Sequence, residues 1–176
     1  VFHRVPKRFD EAQTDGQRWR WCLEQAVEFN PERKHAVALQ FADFLWNQFG
    51  VQTLAEYGWR FGRMQTDDSK EDESGTYALH TLGENETIAR LATGIKRFDL
   101  PDEFNFIKIY QRVAAEGPST GSGLQALQRL VQIFENRRQY PRAAEYCRRV
   151  VEVCAENRDA RTRENWQKRL DQIVGN

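Results

Sequence analysis

The chain has 176 residues, of which 40% are hydrophobic and 12% aromatic, so it can bury a core and is not a disordered tail. Its 26 basic and 26 acidic residues cancel to a formal charge of zero, which removes the electrostatic argument for nucleic acid as a partner. No apolar run approaches the length of a membrane span, so we predict no membrane insertion.

Two helices are predicted before residue 50, because apolar residues recur there at helical spacing. The first covers about residues 16–29 and opens at a capping-box pattern that begins at Thr14 and ends at Gln17. Pro31 fits the first turn of a second helix, which extends to about Phe49. The second helix is so apolar that other elements must cover most of its surface.

An acidic stretch interrupts the helical pattern in the middle of the chain. A third helix is predicted over 52–61, and the polar, acidic residues 63–76 that follow are predicted to form a mobile loop. A fourth helix is predicted over 85–98 and a fifth over 101–115. The fourth prediction rests on four apolar residues at helical spacing, namely Ile88, Leu91, Ala92 and Ile95.

The last third of the chain contains the clearest pair of helices. The glycine-rich segment Gly117–Gly123 is predicted to be a linker, followed by helices over 124–136 and 141–155. Asp159 fits the N-cap of an eighth helix. We therefore predict an all-α fold of about eight helices, arranged as stacked antiparallel hairpins, with an irregular α-α bundle as the alternative.

A spacing that recurs after three prolines indicates an internal repeat. Pro31, Pro101 and Pro141 each fit the first turn of a helix, where a missing N–H costs nothing. The residues six and thirteen positions later are all apolar or small: Val37 and Phe44, Ile107 and Ala114, Cys147 and Cys154. In the preceding helices, Ile88, Leu91, Ala92 and Ile95 align with Leu127, Leu130, Val131 and Phe134. Such a period is typical of stacked hairpins that bury their apolar faces against one another.

The segment 124–154 resembles a tetratricopeptide (TPR) repeat. Eleven of its residues follow the spacing of that family: Leu127, Leu130, Val131, Phe134, Tyr140, Ala143, Ala144, Tyr146, Cys147, Val150 and Val153. It departs from the family at four positions: Val131 replaces a usual glycine, Cys147 an aromatic residue, Val150 an alanine and Ala155 a closing proline.

The TPR resemblance implies a superhelix whose concave face binds a protein or peptide. On that analogy, four polar residues of the helix over 124–136 would point into the groove: Gln125, Gln128, Gln132 and Glu135. The resemblance therefore implies a non-catalytic interaction or scaffold module.

A second resemblance concerns the context of the chain. The strings 86–98 and 169–176 are similar to helical regions that precede β-domains in large bacterial alpha-2-macroglobulin-like proteins. This resemblance implies a structural spacer of an exported or periplasmic protein; without it we expect a cytoplasmic location. We expect one helical domain over 1–176, in which the acidic loop 63–76 joins sub-blocks 14–62 and 85–174. Because the chain starts at Val1, we expect this domain to be a fragment of a larger protein.

One short motif is a candidate for an active site. Cys22-Leu23-Glu24-Gln25 is similar to the internal thioester motif of the macroglobulin family. It lacks the glycine before the cysteine and lies in the middle of an amphipathic helical pattern, so we predict no thioester and no enzyme activity.

The three histidines and the other two cysteines do not follow a spacing that is typical of a metal site or a catalytic site. His3, His35 and His80 have no second His or Cys at ligand spacing, so we predict no metal and no cofactor. Cys147 and Cys154 lie too far apart along one predicted helix to form a disulfide. We expect both to be small buried side chains.

Overall fold

The computed structural model describes residues 3–50, 78–91, 94–157 and 159–175. Within these ranges the chain is mainly helical, with one small antiparallel sheet. The helices are α1 (Asp15–Phe29), α2 (Lys34–Phe49), α3 (Phe106–Glu116), α4 (Gly121–Asn136), α5 (Tyr140–Glu156) and α6 (Ala160–Val174). The strands are β1 (Glu86–Leu91) and β2 (Gly94–Asp99). The helix predicted over 52–61 and the acidic loop predicted over 63–76 lie outside the described residues.

The predicted capping signals at α1 and α2 are present. The Thr14 hydroxyl accepts a hydrogen bond from the Gln17 amide at 3.2 Å, and the Gln17 side chain accepts one from the Gln13 amide at 2.8 Å. Pro31 opens a 3-10 turn, Pro31–Arg33, that leads directly into α2. α1 therefore begins where the Thr14 side chain satisfies an otherwise unpaired N–H group, and α2 begins directly after the turn that Pro31 opens.

The segment predicted as the fourth helix is a β-hairpin. β1 and β2 pair in an antiparallel register that places Glu86 opposite Asp99 and Leu91 opposite Gly94. The prediction of a helix over 85–98 is therefore wrong. Because this segment is not helical, the sequence match between it and α4 is not a structural repeat.

Tertiary contacts explain why strands replace the predicted helix. Thr87 is fully buried, and its hydroxyl donates a hydrogen bond to the Phe49 carbonyl at the end of α2. The Arg137 guanidinium, at the end of α4, donates to the carbonyls of Gly83 and Glu86 at 2.9 Å each. These long-range bonds outweigh a local apolar spacing that suits a helix.

α3 begins later than Pro101, the residue predicted to open it. Asp102–Phe104 forms a 3-10 turn, and the helix starts only after Asn105. The Asn105 side chain caps α3 by accepting hydrogen bonds from the amides of Ile107 and Lys108 at 3.0 and 3.2 Å. An N-cap with two bonds to the first turn defines the start more strongly than the proline does.

The proline spacing marks core positions in two of its three occurrences. Four of the residues are fully or almost fully buried: Ile107, Ala114, Cys147 and Cys154. Val37 is half-buried and Phe44 is 37% exposed, so the α2 pair does not match. The other predicted repeat, of Ile88, Leu91 and Ile95 with α4, fails because these residues lie in strands. Ala92, its fourth member, lies outside the described residues.

α4 begins inside the segment predicted to be a linker. The Thr120 hydroxyl accepts a hydrogen bond from the Gly123 amide at 3.0 Å and so caps a helix that starts at Gly121. A Cβ atom on Gly123 would lie 1.9 Å from the Gly117 carbonyl oxygen, so only glycine fits there. The glycines thus permit a close approach of the backbone, and the linker prediction for 121–123 is wrong.

A tight turn joins α4 to α5. The Gln139 amide donates to the Phe134 carbonyl and the Arg138 amide to the Glu135 carbonyl, both at 2.8 Å. Arg138 has a φ angle of 55°, in the left-handed region. These features form a Schellman motif, after which Tyr140 begins α5.

The hydrophobic core lies between helices that are consecutive in the chain, from α2 to α6. Each helix packs against the next one in the chain, and α2 also contacts α4. The largest buried apolar side chains at these contacts include Leu45, Ile107, Tyr110, Leu127, Leu130, Phe134 and Val150. α6 contributes Leu170 and Ile173 to the core. Asp159 is its N-cap as predicted, and the Asp159 side chain accepts a hydrogen bond from the Thr162 amide at 3.0 Å. α4 therefore packs against α2, α3 and α5.

Candidate binding face on helix α4

The four residues predicted to line a groove lie on one stripe of α4. Gln125 and Gln132 are exposed, and Gln128 and Glu135 are half-buried. They recur every three or four residues, which places them on a common face of an α-helix. The other side of α4 is buried through Ala126, Leu127, Leu130, Val131, Ile133 and Phe134. We call the stripe of Gln125, Gln128, Gln132 and Glu135 the α4 face.

The three glutamines of the α4 face have unused hydrogen-bonding groups. Among the described residues, none of the side chains of Gln125, Gln128 and Gln132 forms a hydrogen bond to another group of the chain. Each carboxamide offers two N–H donors and one carbonyl acceptor. The stripe can therefore both donate to and accept from a bound molecule.

Glu135 differs from the glutamines because it already has a partner. Its carboxylate forms an ion pair with Arg169 of α6, with Arg169 Nη2 2.8 Å from Oε1 and 3.0 Å from Oε2. The Glu135 side chain is only 17% exposed. Glu135 therefore joins α4 to α6, and it does not offer a free carboxylate to a ligand.

A second ion pair joins α4 to α2. Arg129 Nε lies 3.2 Å from Asp43 Oδ1, and the Arg129 guanidinium carbon lies 5.3 Å from the centre of the Trp46 ring. The buried Tyr110 hydroxyl donates to the same Asp43 oxygen at 2.5 Å. Burial, and then the bond to Asp43, raises the pKa of Tyr110 well above its usual value, so this hydroxyl keeps its proton.

The two ion pairs place the α4 face between α2 and α6. Arg129 and Glu135 are six residues apart, so their side chains point about 120° apart around the helix. Arg129 reaches α2 on one edge of the stripe, and Glu135 reaches α6 on the other. The three glutamines thus lie along a helix that a neighbour borders on each side.

The charges beside the α4 face are paired. Arg129 is compensated by Asp43 and Glu135 by Arg169, which leaves neutral amides in the middle. The sequence analysis named the glutamines as candidates and did not name Asp43, Arg129 or Arg169. A tyrosine on an apolar stripe, as Tyr110 is, signals that a polar partner is needed, but the sequence does not name that partner.

The thioester-like motif is part of a regular helix. Cys22 is exposed on α1, and the Gln25 carboxamide donates to Glu28 at 2.7 Å. The structure therefore places Cys22 and Gln25 on successive turns of α1 without the strained turn that a thioester needs.

The three histidines lie in different parts of the chain, and the side chains of His3 and His35 contact polar groups. His3 Nδ1 is 3.2 Å from the Thr14 hydroxyl, and His35 Nε2 is 3.1 Å from a Glu116 carboxylate oxygen. His80 lies in a 3-10 turn. Within the ranges that the structure describes, no three His, Cys, Asp or Glu residues lie close enough together to hold a metal ion. None of the helices in those ranges is both long and apolar enough to cross a bilayer.

Comparisons with known proteins identify no relative. No protein-family model, curated protein or solved structure gives a significant match to the chain. The likeness to the TPR family rests on the residues within 124–154 alone, and the likeness to macroglobulin-like proteins on two short strings.

Proposed function

We propose that the chain is a non-catalytic protein-interaction module built from TPR-like helical hairpins, and that the α4 face binds an extended segment of a partner protein. The observation that carries this proposal is the row of Gln125, Gln128 and Gln132 between α2 and α6. None of these three amides is hydrogen-bonded within the described part of the chain.

The arrangement of helices supports the hairpin interpretation. In a TPR-like stack the first helices of successive pairs lie side by side, and the second helices lie behind them. Here α4 contacts α2, and the Glu135–Arg169 ion pair links α4 to α6. We assign α2, α4 and α6 as the first helices and α3 and α5 as the second helices. The α4 face then lies at the centre of the concave side.

The chemistry of the α4 face suits an extended backbone. An extended segment presents an N–H and a carbonyl at every residue, and a glutamine can bond to both. Glutamines three or four positions apart on a helix are separated by about 4.5–6 Å along its axis, a distance that an extended chain covers in about two residues. Because the flanking charges are paired, we expect main-chain contacts to contribute more than charge attraction.

The alternative function is a structural spacer in a large, exported macroglobulin-like protein. A spacer needs no ligand on the α4 face, so its glutamines would only solvate the surface. The two functions therefore differ in one measurable property, which is whether the α4 face selects a peptide.

A peptide selection with matched baits tests the proposal. A phage library of random peptides is selected in parallel against the wild-type chain, a Q128R/Q132R variant and a Q167R control. Gln167 is exposed on α6, on the opposite edge of its apolar stripe from Arg169. We expect the wild type and Q167R to enrich the same peptides and Q128R/Q132R to lose them. Failure of every bait to enrich a peptide family, or equal enrichment by all three baits, would contradict the proposal.

A further inference from the structure

A small pocket beside α1 and α2 has a buried guanidinium in its wall. It lies apart from the α4 face and is lined mainly by aromatic rings. The side chains that matter here are His3, Trp19, Arg20, Phe41, Phe44 and Phe104. Phe44 is 37% exposed. The pocket therefore combines apolar walls with one cation.

The Arg20 guanidinium has an ionic contact and an aromatic contact, but one of its nitrogens forms no hydrogen bond. Its Nη2 donates to Glu103 Oε1 at 3.0 Å, and its guanidinium carbon lies 3.9 Å from the centre of the Phe41 ring. The residue is only 7% exposed. Its Nη1 is buried and forms no hydrogen bond within the described part of the chain. A buried donor of this kind destabilises the fold unless something accepts its hydrogen bond.

We infer that Arg20 Nη1 binds one oxygen of a carboxylate that enters the pocket end-on. A carboxylate oxygen forms a short, charge-assisted hydrogen bond with a guanidinium N–H that is about twice as strong as a bond between neutral groups. The Glu103 side chain that shares the cation is 51% exposed, so it neutralises the buried charge incompletely. An incoming carboxylate complements both the unpaired N–H and the residual charge.

The dimensions of the pocket define which carboxylates fit. It offers about 10 Å³ for the centre of a water-sized group, which is room for one oxygen atom. The carbon next to the carboxyl group then lies between aromatic rings near the rim. A compact carboxylate fits this shape, whether it is a free molecule such as acetate or the C-terminus of a peptide.

A titration with carboxylates and their neutral amides tests this site. The probes are acetate, acetamide, N-acetylglycine and N-acetylglycinamide, added at constant ionic strength to ¹⁵N-labelled protein. The readout is the NMR signal of the Trp19 indole N–H, assigned from a Trp19→Phe variant. We expect acetate or N-acetylglycine to shift this signal saturably, with a dissociation constant on the order of millimolar for so small a ligand. Acetate alone identifies a small-molecule site, and N-acetylglycine alone a site for a peptide terminus.

Three variants separate recognition from a structural role of Arg20. Arg20→Gln should weaken carboxylate binding by about tenfold or more, since a charged hydrogen bond is lost. Glu103→Gln should strengthen it by about threefold, because a competing carboxylate is removed. Arg18→Gln changes an exposed arginine that pairs with Asp15, and it should leave the affinity unchanged.

The carboxylate site can still be tested if Arg20→Gln does not fold. The wild-type titration and Glu103→Gln do not require that variant. Equal shifts with the acids and their amides would mean that the pocket does not select a carboxylate, and no saturable shift with any probe would mean that none of them binds. An affinity that Glu103→Gln leaves unchanged would show that the ligand does not bind Arg20. Either result overturns the inference.

Discussion

Arg169 of α6 and Glu135 of α4 form an ion pair in which one guanidinium nitrogen lies within 3.0 Å of both carboxylate oxygens. The Arg169 side chain is 50% exposed, so water screens much of the attraction. The pair therefore orients α6 along the edge of the α4 face and contributes little to the stability of the fold.

A double-mutant cycle on this pair tests that distinction. We expect Glu135→Gln and Arg169→Gln to show a coupling free energy of about 0.5 kcal/mol in urea unfolding, as for other partly exposed pairs. The coupling should also fall at high salt, because screening shortens the range of the attraction. A coupling above about 2 kcal/mol that salt does not change would mean that the pair is a buried core interaction.

The guanidinium of Arg137 should be among the most important polar groups of the fold. The residue is 2% exposed, and burial lowers its pKa to about 10, so it remains a cation at neutral pH. Arg137→Ala leaves the carbonyls of Gly83 and Glu86 without these donors and opens a cavity. We expect it to cost about 3–5 kcal/mol of unfolding free energy in urea denaturation.

Hydrogen exchange adds a local measurement to the Arg137 prediction. The amides of β1 and β2 should lose protection in Arg137→Ala before those of α5, because Arg137 ties the hairpin to the helices. Arg148→Ala, at an exposed site on α5, is the control and should change stability by no more than about 0.5 kcal/mol. Equal losses in the two variants would contradict the proposed role of Arg137.

Tyr110 should make stability depend on alkaline pH. Its pKa in the folded state is raised above the unfolded value of about 10, mainly by burial. The stabilising contribution is therefore complete below about pH 10 and is lost as the pH rises past that value, because the unfolded chain then releases the proton. We expect Tyr110→Phe to cost about 1–2 kcal/mol near pH 7.

The difference in unfolding free energy between the wild type and Tyr110→Phe should depend on pH. Unfolding free energies of the wild type and Tyr110→Phe are measured from pH 7 to pH 11. The gap between them should shrink above about pH 10, because only the wild type carries this ionisable group. A gap that is constant or grows at high pH would show that the Tyr110 hydroxyl is not held in its neutral form.

The three cysteines should differ sharply in reactivity. Cys147 and Cys154 are 0% and 1% exposed, whereas Cys22 is exposed. Burial raises the pKa of the Cys147 thiol to about 11 and also raises that of Cys154, so both remain protonated at pH 8. A thiol reagent such as DTNB should react rapidly with Cys22 alone in the native protein, and with all three in denaturant. Rapid reaction of Cys147 would mean that the α5–α6 contact opens readily.

Local signals predicted most helices, because the capping residues act on their own neighbours. Thr14 and Asp159 cap α1 and α6 as expected, and the spacing of Leu127, Leu130 and Phe134 identifies the buried side of α4. These interactions span only a few positions in the chain. A single sequence is therefore sufficient to predict them.

The hairpin could not be predicted, because its determinants are distant in sequence. Thr87 bonds to Phe49, and Arg137 bonds to Gly83 and Glu86, across 38 to 54 positions. The same limit applies to the α4 face. The glutamines follow from their position off the apolar stripe, whereas the ion pairs that border them join residues from three helices.

The most direct test of the proposed function measures how tightly the α4 face holds a selected peptide. A fluorescent peptide from the phage selection is titrated by anisotropy with the wild type, Gln132→Arg and Gln167→Arg. We predict that Gln132→Arg weakens binding about tenfold or more, because a bulky cation replaces an amide that contacts the peptide. The affinity of Gln167→Arg should match the wild type. Equal affinity for all three proteins, or a loss confined to Gln167→Arg, would contradict a binding site on the α4 face.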